Sequence, residues 1–139
     1  MSLLGALPAR FRRERVLIVG CGDVGQRAAR ALGNGRRVRL LALTSSPERC
    51  AELRAQGITP LLGNLDEAAS LQRLAGLGTR VLHLAPPPSG EGGDWRLDTR
   101  TRALTRALWR RGAPASLVYG STSGVYGDCG GRWVDEATL

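Results

Sequence analysis

Apolar residues fall along this chain in five short runs: "RVLIV" at 15–19, "RVRLLAL" at 37–43, "ITPLL" at 58–62, "RVLHLA" at 80–85 and "SLVYGS" at 116–121. Each has the length of a strand, and the stretches between them carry helical spacing or turn residues. A strand about every 20 residues, alternating with helix-compatible segments, predicts right-handed crossovers and a mostly parallel sheet covered on both faces. The first helix is expected to start near Asp23 or Val24, run through "GQRAARAL" and stop in the "GNG" turn at 33–35, with Ala28 and Ala29 small enough to lie close to the sheet. In the second, "SPERCAELRAQG", Ser46 is placed as the N-cap, Pro47 at the first helical position and Gly57 as the stop. A short third helix is expected from Asp66 to about Ala75. The fourth, in "WRLDTRTRALTRALWRRG", puts Leu97, Thr101, Leu104 and Leu108 on one face and ends at Gly112 and Pro114. "PPPSGEGG" at 86–93 reads as a flexible loop.

Composition narrows this picture. A length of 139 residues predicts one domain, with residues 1–14 as a flexible arm and 15–139 as the folded unit. Hydrophobic residues at 42% and charged residues at 23% exclude a disordered chain. No run approaches the roughly 20 apolar residues of a membrane span, and the opening lacks the basic start and full apolar core of a secretory leader. A cytoplasmic protein without membrane contact is the expectation. Cys21, Cys50 and Cys129 form no C-x-x-C pair, and none lies within zinc-ligand spacing of His83, the single histidine. Reduced thiols and no metal site follow. All 20 basic side chains are arginine, and the net charge is +8. Scattered as they are along the chain, they lack the clustering of a phosphate-binding patch, so no nucleic-acid partner is expected.

The candidate chemistry begins in "VLIVGCGDVGQRAARAL", where Gly20, Gly22 and Gly25 form G-x-G-x-x-G between a strand and a helix. At that position Gly20 permits a tight turn, Gly22 lets the backbone approach a pyrophosphate, and Gly25 allows close helix–strand packing. The free N–H groups of the first helical turn, around Asp23 and Val24, then face the phosphates with the positive end of the helix dipole. The side chain of Asp23 is read as a helix cap. The end of the second strand should read the adenosine ribose, where an acidic residue selects NAD. Here "LALTSSPER" offers Thr44, Ser45 and, one turn on, Arg49, with Arg37 placed nearby. Hydroxyls and a guanidinium suit a 2′-phosphate, so NADP is the expected cofactor and NAD the alternative.

With these elements in place the chain resembles the short-chain dehydrogenase/reductase superfamily, in its extended and atypical branch, the NAD-dependent epimerase/dehydratase family. Beside the glycine loop, "GNLDE" at 63–67 resembles the family's G-D-L segment, "VLHLAPP" its H-L-A segment, and "STSGVYG" at 121–127 its S-S-x-x-V-Y-G segment. The resemblance implies a Rossmann-type doubly wound α/β fold, its five parallel strands in the order 3-2-1-4-5. It implies that Asn64 and Leu65 border the adenine and that Leu84, Ala85 and Pro86 pass the ribose and phosphates. Thr122 falls where the family keeps a catalytic Ser or Thr that hydrogen-bonds the substrate.

Departures qualify the resemblance. Asn64 replaces the usual aspartate, and G-x-G-x-x-G stands where the extended branch commonly has G-x-x-G-x-x-G. The family's acid/base is the tyrosine of Tyr-x-x-x-Lys, whose phenol depends on a lysine cation to ionise. A chain without lysine holds no such pair. Tyr126 is read as packing, His83 as a hydrogen-bonded core histidine, and Asp135 and Glu136 as solvated. The domain is therefore expected to be incomplete at its C-terminal end, or else to descend from atypical members without the pair. The function expected is the dinucleotide-binding portion of an NAD(P)-dependent oxidoreductase or epimerase-like protein, without full catalytic machinery and with a small-molecule substrate that stays unidentified. A non-enzymatic dinucleotide sensor or interaction module is the alternative. The fifth strand, left as an uncovered edge, points to self-association and a possible homodimer.

Overall fold

The computed structural model describes residues 13–34, 37–88, 97–121 and 126–138. β1 (Glu14–Val19) is the central strand because both of its faces are apolar: Val16, Leu17, Ile18 and Val19 are all buried. It pairs in parallel with β2 (Val38–Thr44) on one side, Val16 opposite Leu40 and Val19 opposite Leu43. On the other side it pairs with β4 (Arg80–His83), Val19 opposite His83. β3 (Thr59–Leu62) flanks β2, and β5 (Ser116–Tyr119) flanks β4. The sheet thus has the order β3-β2-β1-β4-β5, as the resemblance implies. Pro60 sits on the edge strand β3, where its missing N–H costs no ladder bond.

Alternation along β1 and β2 builds two cores. Val16, Ile18, Leu40 and Ala42 face α1 (Asp23–Gly33) and α2 (Arg49–Ala55), burying Ala29 and Leu53 with Ile58. Leu17, Val19, Leu41 and Leu43 face a 3-10 helix (Ala68–Leu74) and α3 (Thr99–Trp109), burying Leu71, Leu74, Leu104 and Leu108. Layers on both faces of a parallel sheet make the fold doubly wound.

Several boundaries differ from expectation. The third helix is wound as 3-10 over Ala68–Leu74, not as an α-helix from Asp66. With three residues per turn, Leu71 and Leu74 eclipse one another, and both are fully buried on the one face that meets the sheet. α2 begins at Arg49 with Glu48 at its N-cap, not with Ser46 and Pro47. The preceding residues form a tighter turn in which the N–H groups of Arg49 and Cys50 reach the carbonyls of Ser46 and Pro47. α3 begins at Thr99 because Asp98 caps it, so Leu97 stays outside the helix and is exposed rather than joining Leu104 and Leu108. β4 and β5 stop at His83 and Tyr119, short of Ala85 and Ser121. Most of the arm expected at 1–14 lies outside the described residues, and Glu14 already belongs to β1. The loop expected at 86–93 is described only to residue 88.

Candidate functional site

β1 and β4 are neighbours, yet the chain leaves β1 toward α1 and β2 and leaves β4 toward α3 and β5. Their carboxyl ends diverge, and the crevice at this reversal of strand order is where open α/β sheets bind ligands. The glycine loop lies here. Gly20 has φ 87°, and a Cβ on it would stand 2.5 Å from the Ala85 nitrogen, so the loop packs backbone against backbone on the segment after β4. A Cβ on Gly25 would stand 2.9 Å from the Gly20 carbonyl oxygen and 3.3 Å from Ile18. Gly22, at φ −81°, caps α1, and a Cβ there would meet nothing within 4 Å. The fold therefore requires Gly20 and Gly25, whereas the bare backbone at Gly22 answers to no neighbour among the described residues. The first intrahelical bond runs from Gln26 N–H to the Gly22 carbonyl at 2.9 Å. The N–H groups of Asp23, Val24 and Gly25 precede it and have no acceptor within the helix, which suits an anion.

Before this loop lies a cavity of about 350 Å³, within the range of small-molecule and cofactor sites. Gly20, Cys21 and Gly22 form one wall, and Thr44, Ser45, Ser46 and Arg49 a second. Gly63, Asn64 and Leu65 close a third side, and Leu84, Ala85 and Pro86 a fourth. Residues from four separate loops, singled out by motif, thus meet around one space. An open backbone at Gly22, unpaired helix N–H groups and hydroxyls at the β2 end fit a nucleotide diphosphate. Asp23 and Val24 are not on these walls. The Asp23 carboxylate is exposed and pairs with Arg27 at 3.0 Å instead of capping the helix, and Val24 is 64% exposed. Thr122 lies outside the described residues. Arg37 precedes β2 at the opposite end from Thr44, about 23 Å away at the rise of a strand, so it is not beside the cavity.

Local hydrogen bonds fix the walls. Thr44 is buried, and its hydroxyl oxygen accepts from Ser46 N–H at 3.2 Å. Arg49 donates to the Cys21 carbonyl at 2.7 Å, which ties the end of β2 to the glycine loop. Burial pushes the Cys21 thiol above its ordinary pKa, against the opposing pull of Arg49. Asn64 Oδ1 accepts from Asp66 N–H at 3.0 Å, and Asn64 N–H donates to Ser70 Oγ at 2.8 Å.

Two features escaped the sequence. Arg100, on the first turn of α3, also lines the cavity and makes a double hydrogen bond to Asp66, Nε to Oδ1 and Nη2 to Oδ2, both at 2.7 Å. No local signal joins residues so far apart in the chain. The Arg100 guanidinium holds the Asp66 carboxyl below its ordinary pKa. Behind this pair, Asp98 caps α3 by accepting from Thr101 N–H at 2.9 Å and from Thr101 Oγ1 at 2.5 Å. With its proton committed to Asp98, Thr101 Oγ1 accepts from His83 Nε2 at 2.8 Å, so the His83 tautomer carries its proton on Nε2. His83 is 1% exposed, a core histidine as expected, and burial lowers its pKa despite the opposing charge of Asp98. Burial raises Asp98, but the Thr101 hydrogen bonds outweigh it and leave the carboxyl below its ordinary value.

Elsewhere, Asp135 accepts from Ala137 N–H and from the Thr138 hydroxyl in its own turn, and Glu136 is exposed. Tyr126 is half-buried, and its carbonyl accepts from the Cys129 thiol. Among the described residues no group of three His, Cys, Asp or Glu could hold a metal ion. No helix of the described residues is long and apolar enough to cross a membrane. Although the arginines are scattered in sequence, α3 brings Arg102, Arg106 and Arg110 onto one groove of about 480 Å³ beside the 3-10 helix.

Fold and loop together define the class: a Rossmann-type doubly wound domain with a G-x-G-x-x-G loop between its first strand and first helix. Residues 16–82, which hold the glycine loop and the β2 end, match the TrkA-N domain. No curated protein matches the chain. Among solved structures it is similar to a protein assigned as an epimerase in Burkholderia cenocepacia J2315, at 24% identity and TM-score 0.66, over 91% of this chain and 43% of that one. It is similar to a conserved protein of unknown function from Silicibacter pomeroyi, at 28% identity and TM-score 0.55, over 89% and 41% of the two chains. A third is the triphenylmethane reductase of Citrobacter sp. complexed with NADP(H), at 19% identity and TM-score 0.59, over 76% and 36%. The chain spans less than half the length of each of these structures.

Proposed function

We propose that residues 15–139 are the dinucleotide-binding part of an NAD(P)-dependent oxidoreductase or epimerase-like protein, and that the cofactor is NADP. The observation that carries the preference is the chemistry of the β2 end. Thr44, Ser45 and Arg49 stand on one wall of the cavity, and among the described residues no carboxylate lines it. A ribose 2′-hydroxyl is usually bound by an acid at this place, whereas a 2′-phosphate needs donors and positive charge. Arg49 already donates to the Cys21 carbonyl at 2.7 Å and is held toward the cavity rather than loose in solvent. The Citrobacter reductase, which has the same fold, holds NADP(H).

These 139 residues contain no lysine and so no Tyr-x-x-x-Lys pair. Thr122 keeps the role implied by its segment, a hydrogen bond to substrate. Parallel calorimetric titrations of NADPH and NADH test the reading. Tighter binding of NADPH is expected. Equal affinities would remove the 2′-phosphate assignment, and no binding of either at millimolar concentration by the folded chain would remove the function.

A further inference from the structure

The Arg100–Asp66 pair stands on the cavity rim between two segments already placed around a nucleotide. Asp66 follows Asn64 and Leu65, and Arg100 Nη1 also reaches the Pro86 carbonyl at 3.3 Å. A guanidinium has five N–H donors, all in its own plane. Here the plane's edges are engaged by Asp66 Oδ1, Asp66 Oδ2 and Pro86 O, while 26% of the side chain stays exposed and the residue lines the cavity. What this leaves for a ligand is the flat face and two in-plane N–H groups, one each on Nη1 and Nη2. The charge is matched by Asp66, so the pair is a poor receptor for phosphate, and weakly hydrated guanidinium planes stack well on aromatic rings.

We infer that Arg100 is the residue on which the adenine ring of the dinucleotide stacks, and that Asp66 is a positioning residue that holds the Arg100 plane in place. The inference rests on the proposed dinucleotide reading of the cavity and adds to it a residue for the base. It also accounts for a capped helix starting at this point: Asp98 fixes the first turn of α3, from which Arg100 projects.

The test is calorimetric titration of the chain with ADP, adenosine and nicotinamide mononucleotide. Arg100→Met keeps the length of the side chain and loses the plane. It is expected to weaken ADP and adenosine by a common factor of about ten, equivalent to ~1.4 kcal/mol. Nicotinamide mononucleotide and ligand-free melting should be unchanged. Arg100→Lys, which keeps the charge, should behave as Arg100→Met. Asp66→Asn should weaken ADP less, and should add nothing in the Arg100→Met background. Unchanged ADP affinity in Arg100→Met, full rescue by lysine, or an equal loss for nicotinamide mononucleotide would each overturn the inference while leaving the dinucleotide reading intact. Should Arg100→Met fail to fold, Asp66→Asn carries the same test, and unchanged ADP affinity there overturns it. An unmodified chain that binds neither ADP nor NADPH would overturn both.

Discussion

Three glycines of one motif do different physical work. At Gly20 a side chain would demand a left-handed φ and collide with the backbone of Ala85 at 2.5 Å. Gly20→Ala should therefore destabilise the chain by about 1–3 kcal/mol, read as a lower denaturant midpoint with unchanged slope. At Gly22 a side chain meets nothing within 4 Å, so Gly22→Val should cost only the loss of a favoured helix cap, about 0.5–1 kcal/mol of ligand-free stability. The valine would nonetheless occupy the approach to the helix N–H groups. Arg49 supplies a separate residue-scale prediction: Arg49→Ala should weaken NADPH while sparing NADH, and paired titrations that keep the preference intact would remove Arg49 from the 2′-phosphate site. The tight turn at Gly20 and the close packing at Gly25 were legible in the sequence because both follow from a motif lying between a strand and a helix. Arg37 lies a full strand length from Thr44, a separation that the apolar run at 37–43 already implied.

At the scale of elements, α3 depends on its cap. Asp98→Ala removes the acceptor for Thr101 N–H and the hydroxyl partner of Thr101, and should cost about 1–2 kcal/mol in chemical denaturation. The same chain of bonds sets the pH dependence. Burial holds His83 below its ordinary 6.5, so the unfolded chain takes up a proton that the folded chain refuses. Stability should be full above about pH 6.5 and fall as the pH drops from there toward the folded value. The depressed carboxyls of Asp98 and Asp66 add a second loss of the same sign below about pH 3.8. Because His83 is the single histidine, denaturation midpoints of His83→Gln should be flat from pH 7 to 5, where those of the unmodified chain decline. The strands were readable as apolar runs and α1 as a glycine-bounded helix. The 3-10 helix was not, because Leu71 and Leu74 at a spacing of three suit either winding, and only packing on the sheet selects the tighter one. Likewise "WRLDTRTRAL" hides its start until Asp98 is seen to cap Thr101.

For the whole molecule, the alternation of elements made a parallel sheet legible and the family resemblance its strand order, but the rim pair Arg100–Asp66 exists only after the β3 and β4 loops are brought together. Both outer strands leave apolar surface open, with Val118 58% and Leu62 45% exposed, and such edges invite pairing with other chains. The proposed approach of a dinucleotide to the open backbone at Gly22 has a thermal readout. It is tested most directly by thermal melting of the unmodified chain and of Gly22→Val, each with and without NADPH. At about 100 times its dissociation constant the ligand contributes about 2.7 kcal/mol, so the unmodified chain should melt several degrees higher with NADPH. Gly22→Val should melt a few degrees below the unmodified chain when ligand-free, for the weaker helix cap, and show no rise with NADPH. An unmodified chain indifferent to NADPH, or a Gly22→Val variant stabilised as much as its parent, would contradict that approach.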